Sequence, residues 1–253
     1  MSDVVCLSAA PGIQLFHKGP ALDHGPLPSF FYFALSGPDS LTLDPFNQPV
    51  QFLQNRMIRI FSMTLPAHES PLSPKDALRV WAEEYAQGKD PLGTFLDQAE
   101  IAVDYAIQQR FVDPEKMAIG GLSRGGFIAC HIAARREVFR SIVAFAPLTQ
   151  LHHAQEFHAL RSHPAVLNLS LDTLSKRLVH RRIRMYIGND DRKVGTETCF
   201  AFAMSVVAAA EKQKVRQPQV ELFITPSIGH QGHGTSVATF QQGAEWIATN
   251  LSQ

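Results

Sequence analysis

Three stretches of this 253-residue chain place reactive side-chain types where chemistry could use them. The first is Gly121-Leu122-Ser123-Arg124-Gly125, a lone serine between glycines at the end of an apolar run. The second, Gly188-Asn189-Asp190-Asp191, closes another apolar run with two carboxylates, and the third, Gly229-His230-Gln231-Gly232-His233-Gly234, carries two imidazoles. Hydroxyl, carboxylate and imidazole are the parts of nucleophilic acyl transfer. A serine hydroxyl is a poor nucleophile at neutral pH, so an imidazole must take its proton during attack on a carbonyl and return it to the leaving group. A carboxylate behind the imidazole holds its tautomer and stabilises its cationic form. Alone, the serine stretch also reads as a tight turn whose hydroxyl merely caps a helix. The order of the three stretches along the chain favours the chemical reading.

Such groups need elements that present them at one place. Met117 to Gly120 reads as a buried strand preceded by the turn signal Asp113-Pro114, and helical composition resumes at Phe127 to Ala134. Ser123 therefore sits on a strand-to-helix turn, where small neighbours let the serine take a strained backbone conformation. Earlier in the chain, residues 12–20 suggest an edge strand or hairpin, and Phe30 to Leu35 a strand buried on both faces that stops in a loop at Ser36 to Ser40. A short helix is expected over 45–55, a strand over 57–62, and helices over 76–86 and 92–110. In the last of these Leu96, Ala99, Val103, Ala106 and Arg110 share one face. Beyond the serine, strands are expected at 141–147, 183–187 and 220–225, with helices at 196–212 and the carboxyl terminus. The segment 149–180 is polar and histidine-rich and reads as a helical insertion. Strands alternating with helices predict a single α/β domain over 1–253, with a mainly parallel sheet covered on both faces. Ligands of such sheets lie beyond the carboxyl ends of the strands, where Ser123, Asp191 and the histidine loop all fall.

In this order the motifs resemble the α/β-hydrolases, nearest the dienelactone-hydrolase and prolyl-oligopeptidase-like branch. Gly188-Asn189-Asp190-Asp191-Arg192-Lys193-Val194 is similar to that branch's G-x-x-D-x-x-V, and Asp113 to Gly120 to the lead-in to its serine. The resemblance implies a three-layer fold with 149–180 as a cap, and a triad of Ser123, Asp191 and His230. Asp190 and His233 stand as the alternatives within the same turns. It also implies an oxyanion hole made partly by the Arg124 backbone N–H. The loop after the aromatic strand is His-Gly-x in the family, with the x amide as second donor, whereas here it is Ser36-Gly37-Pro38. Proline has no N–H, so that donor is assigned to Asp39, with Ser40 as the alternative after a local shift. The implied activity is cleavage of a carboxylic ester of a small or medium-sized substrate through an acyl-enzyme, with no cofactor. A peptidase acting on short peptides and a catalytically silent binding protein of the same fold are the alternatives.

Composition narrows the partners. There are 23 residues of each charge sign, which offers no electrostatic footprint for nucleic acid or an anionic membrane. Three widely spaced cysteines, Cys6, Cys130 and Cys199, give neither a disulfide framework nor metal-ligand spacing. His152 and Glu156, four apart, lack a third ligand at matching spacing. No basic leader or membrane-length apolar run is visible, so a cytoplasmic monomer or homodimer is expected.

Overall fold

A computed structural model describes residues 3–253. Eight strands form one sheet: β1 (Val5–Ala10), β2 (Ile13–Lys18), β3 (Leu27–Phe33), β4 (Arg59–Ser62), β5 (Val112–Leu122), β6 (Phe139–Phe145), β7 (Arg182–Gly188) and β8 (Val220–Thr225). They lie in the order β1-β2-β4-β3-β5-β6-β7-β8. The β1–β2 and β2–β4 pairs are antiparallel and every later pair is parallel. The helices are α1 (Gly37–Thr42), α2 (Gln48–Leu53), α3 (Ala77–Ala86), α4 (Pro91–Gln108), α5 (Arg124–Arg135), α6 (Pro164–Asn168), α7 (Ser175–Leu178), α8 (Thr196–Lys212) and α9 (Val237–Leu251).

Side-chain alternation along β3 explains the layers. Phe31 and Phe33 belong to a core shared with α3, α4, α5 and α8, while Phe30 and Tyr32 belong to a second core shared with α2 and α9. A strand whose successive residues are all buried must be covered on both faces. This is the three-layer α/β-hydrolase fold.

Arg59, fully buried at the start of β4, donates to the carbonyls of Pro20, Ala21, Gly25 and Phe111. The loop before β3 is thereby tied to the end of the α4 segment.

Several local expectations change. Ser36 to Ser40 is not a loop: Ser36 caps α1, its Oγ accepting from the Asp39 N–H at 3.2 Å, with Pro38 in the first turn. Asp113-Pro114 lies inside β5, where the pairing with β3 bulges and Asp113 Oδ1 accepts from the Glu115 N–H at 3.0 Å. Arg110 falls past the end of α4 at φ 58 and is exposed, so it leaves the buried face that Leu96 to Ala106 form. The insertion is helical but built largely of 3-10 turns, at Leu151–His153, Gln155–Leu160 and Leu171–Leu174, around α6 and α7. Its Leu151, Phe157, Val166, Leu171 and Leu178 are buried in the main core. It is a packed part of the domain. Among the described residues no helix is long and apolar enough to cross a membrane.

Candidate active site

The turn between β5 and α5 holds Ser123 at φ 55, ψ −115, a conformation an L-residue rarely adopts. Two glycines make it possible. A Cβ on Gly125 would lie 1.8 Å from the Phe33 carbonyl oxygen, and one on Gly121 would lie 2.2 Å from the Gly125 carbonyl carbon. The helix start is thus pressed against the ends of β3 and β5. The Ser123 N–H donates to the Phe145 carbonyl at 2.8 Å, and its own carbonyl accepts from Leu148 and Phe127 at 3.2 Å each. Bonds on both sides hold the strained residue.

Asp191 follows β7 and is 3% exposed. Its Oδ1 accepts from the backbone N–H groups of Lys193 at 3.0 Å and Val194 at 3.1 Å, which leaves Oδ2 for a side-chain donor. Asp190 points elsewhere, exposed and paired with Arg192 at 2.8 Å. The structure brings Asp191, not its neighbour, into the site.

The histidine differs from the expectation. His233 Nδ1 lies 2.7 Å from Asp191 Oδ2, and its Nε2 lies 2.9 Å from Ser123 Oγ. His230 is exposed at the start of a 3-10 turn, His230–Gly232, and its side chain makes no hydrogen bond to either group. The assignment of His230 is therefore corrected to His233. The physical reason is that the chain doubles back after β8. Gly229 and Gly232 take φ 72 and 73, Gln231 takes φ 54, and the Gly234 N–H returns to the Ile228 carbonyl at 2.7 Å. The positive-φ turns at Gly229, Gln231 and Gly232 fold the loop back on Ile228, which brings His233 rather than His230 to the triad.

The Asp39 assignment is also corrected. Its N–H is spent on the Ser36 cap, while Ser36 Oγ in turn donates to Asp39 Oδ2 at 2.6 Å. Ser40 Oγ accepts from the Ala34 and Leu35 N–H groups, at 3.1 and 2.9 Å, and the Gly37 N–H donates to Thr64 Oγ1 at 3.0 Å. From Leu35 to Asp39, only Ser36 retains a backbone N–H with no acceptor among the described residues. The sequence held a signal for this: Ser-x-x-Asp with proline at the second position of the helix is a helix start. The Arg124 side chain enters no ion pair among the described residues; its guanidinium donates to the Pro74 carbonyl at 2.8 Å. Burial lowers its pKa to about 10, against the opposing pull of Glu156. His68 is buried with Nδ1 2.8 Å from the Pro66 carbonyl oxygen, packed within its loop. Among the described residues no cluster of three or more His, Cys, Asp or Glu side chains is placed to hold a metal.

A hydroxyl, an imidazole and a buried carboxylate in line, beyond the carboxyl ends of a parallel sheet, define a hydrolase of the α/β-hydrolase class. The family model of the prolyl oligopeptidase family matches residues 81–253, and the chain belongs to that family. Among solved structures it is similar to TT1662 from Thermus thermophilus, with TM-score 0.71 and 14% identity over 100% of both chains. It is likewise similar to Est1E from Butyrivibrio proteoclasticus, with TM-score 0.67 and 13% identity over 100% of both. Porphyromonas gingivalis dipeptidyl peptidase 4 aligns with TM-score 0.67 and 16% identity over 98% of this chain and 35% of that one. The chain thus spans about a third of the length of such peptidases. Among curated protein sequences, none matches this one.

Proposed function

We propose that this hydrolase cleaves a carboxylic ester of a small or medium-sized substrate, with Ser123 as nucleophile, His233 as general base and acid, and Asp191 as its orienting carboxylate. The observation that carries the reading is the unbroken hydrogen-bonded line from Ser123 Oγ through His233 to a carboxylate that is otherwise held by two backbone N–H groups. Ser123 Oγ attacks the acyl carbon as its proton passes to His233 Nε2; the carbonyl π electrons move to oxygen. Collapse expels the alcohol, which takes the proton from His233 and leaves an ester on Ser123. A water then repeats the sequence, losing its proton to His233, and the acid and free Ser123 are released. Asp191 accepts from Nδ1–H throughout, so Nε2 is the free base at each attack. The Arg124 N–H, at the first position of α5, serves the oxyanion with the Ser36 N–H as its partner. Each such donor contributes roughly 3 kcal/mol to the barrier reduction.

Membership of the prolyl oligopeptidase family supports a second reading, hydrolysis of short peptides by the same three residues. An ester carbonyl is more electrophilic than an amide and needs less oxyanion stabilisation, which suits a loop in which Pro38 offers no N–H and two other amides are engaged. The test is fluorophosphonate labelling followed by intact mass, comparing the parent chain with Ser123→Ala and His233→Ala. Labelling that requires Ser123 and collapses without His233 supports an activated serine. A folded parent that takes no label would instead make the chain a binding protein of this fold. Turnover of a p-nitrophenyl ester without turnover of aminoacyl anilides favours the ester, and the reverse favours the peptide.

A further inference from the structure

On the far side of the sheet from Ser123, at the amino ends of β5 to β7, the surface opens into a cavity of about 940 Å³. Its wall carries Lys116, Arg140, Arg181 and Arg182 against two carboxylates, Glu115 and Glu137. Three of these charges are already answered. Arg140 pairs with Glu115. Arg182 donates to the side-chain oxygens of Gln219, Asn250 and Gln253 at 3.1, 2.9 and 3.1 Å.

Arg181 is different. It is 8% exposed, its Nε has no hydrogen-bond partner, and it enters no ion pair among the described residues. Burial, with Arg140 adding like-charge repulsion, pulls its pKa below the usual arginine value, and Glu137 opposes that from beyond ion-pair distance. A guanidinium does not lose its proton under ordinary conditions, so this residue keeps a largely desolvated charge: its Nε is buried without an acceptor and no protein group receives its terminal nitrogens among the described residues. Charged side chains are almost never buried this far unless paired, because the lost hydration is repaid only by an opposite charge or a full set of acceptors. Domain packing does not supply the acceptors here; the open side of the residue is the cavity it lines. The cavity's size is that of a small-metabolite site.

We propose that this cavity is a second ligand site, which takes a small molecule bearing an oxyanion, a phosphoryl or clustered carboxylate group, held by the Arg181 guanidinium. A planar fork of donors matches two oxygens of such a group. The wall's four cations outnumber its two carboxylates, which leaves a net positive field, and the amide side chains fixed by Arg182 offer polar contacts to the rest of the molecule. The site lies six residues along β5 from the nucleophile's turn, about 20 Å away at the rise of an extended strand. It is independent of the acyl-transfer reading.

The experiment is isothermal titration of the whole chain with pyrophosphate and, separately, citrate, at constant ionic strength with chloride as the control. Ser123 is first blocked with a fluorophosphonate, or replaced by alanine, so that binding at the hydrolytic site cannot contribute. Saturable binding of either anion to the parent, weakened at least tenfold in Arg181→Met and severalfold in the rim variant Arg140→Gln, is the expected result. Circular dichroism checks that each variant is folded. Should Arg181→Met fail to fold, Arg140→Gln and Lys116→Gln together decide the outcome. No binding of either anion, or binding that these substitutions leave unchanged, overturns the proposal.

Discussion

A Cβ built on Gly232 would lie 2.2 Å from the backbone carbonyl oxygen of Asp190. The turn that carries the acid and the turn that carries the imidazole are therefore in backbone contact, one residue from Asp191 on one side and one residue from His233 on the other. This contact, with φ 73 at Gly232, selects His233 over His230. Gly232→Ala should fail on both counts, since alanine neither fits against the carbonyl nor accepts that φ without strain of about 1 kcal/mol or more. Fluorophosphonate labelling of the folded variant should slow at least tenfold, and labelling at the parent rate would contradict the contact's role.

The two histidines separate cleanly by substitution. His233→Ala should lower ester turnover by about 10⁴-fold or more, the usual effect of removing the base of such a triad. His230→Ala, on an exposed turn, should stay within about threefold of the parent. Steady-state kinetics on a chromogenic ester is the measurement, and equal losses would place both residues in the machinery.

The carboxylates follow the same logic. Asp191→Asn keeps the shape but presents an amide to His233 Nδ1, favouring the wrong tautomer, so kcat should fall by about 10⁴-fold. Asp190→Asn removes only an exposed ion pair with Arg192 and should change kcat and thermal midpoint little.

Acid sensitivity follows from three buried histidines outside the triad. His17, His68 and His131 have pKa values lowered to about 4, in each case mainly by burial. In the unfolded chain each titrates near 6.5, so between pH 6.5 and 4 the unfolded state binds more protons than the folded one. Stability is therefore full above pH 6.5 and falls as pH drops through this window, by up to about 1.4 kcal/mol per pH unit for each histidine. Urea unfolding at a series of pH values should show this slope, and His131→Gln should flatten it. The pH range matters because His131 Nε2 donates to the Leu169 carbonyl at 3.0 Å, an interaction that keeps the insertion on α5.

The nucleophile's turn is the least tolerant point of the backbone. Gly125→Ala would drive a methyl into the Phe33 carbonyl, where relief needs α5 to move off the sheet. A loss of about 3 kcal/mol or more is expected, a fall in thermal midpoint of roughly 6–12 °C for a domain of this size. A calorimetric midpoint within 2 °C or so of the parent would contradict the packing described above.

Much of this molecule is written locally. The unbroken apolar run Phe30 to Phe33 implies burial on both faces of a strand, and α8 falls on the span its sequence predicts because one buried face repeats at helical spacing; β8 is also found where expected, though none of its residues is fully buried. Ser123 is legible for a related reason: two glycines around a serine at a strand end encode a strained turn within five residues. The acid's turn is legible at its strand end, while the choice of Asp191 over Asp190 rests in the sequence on the resemblance to G-x-x-D-x-x-V and in the structure on the two N–H groups that Asp191 accepts.

What the sequence by itself determined was thus the element order, the serine turn and the acid's turn, each a short-range matter of backbone conformation and side-chain period. The tertiary structure alone decided the histidine, because His230 and His233 share one glycine-rich loop whose path depends on contact with Asp190, forty residues earlier in the chain. It also decided which amides of the turn after β3 are free: whether the Asp39 or the Ser36 N–H is engaged depends on which acceptors, Ser36 Oγ, Ser40 Oγ and Thr64 Oγ1, fold against it. A strand announces itself because its signal repeats along many residues. A single donor or a single imbalanced charge such as Arg181 is settled by one neighbour, and that neighbour's identity is a property of the folded chain.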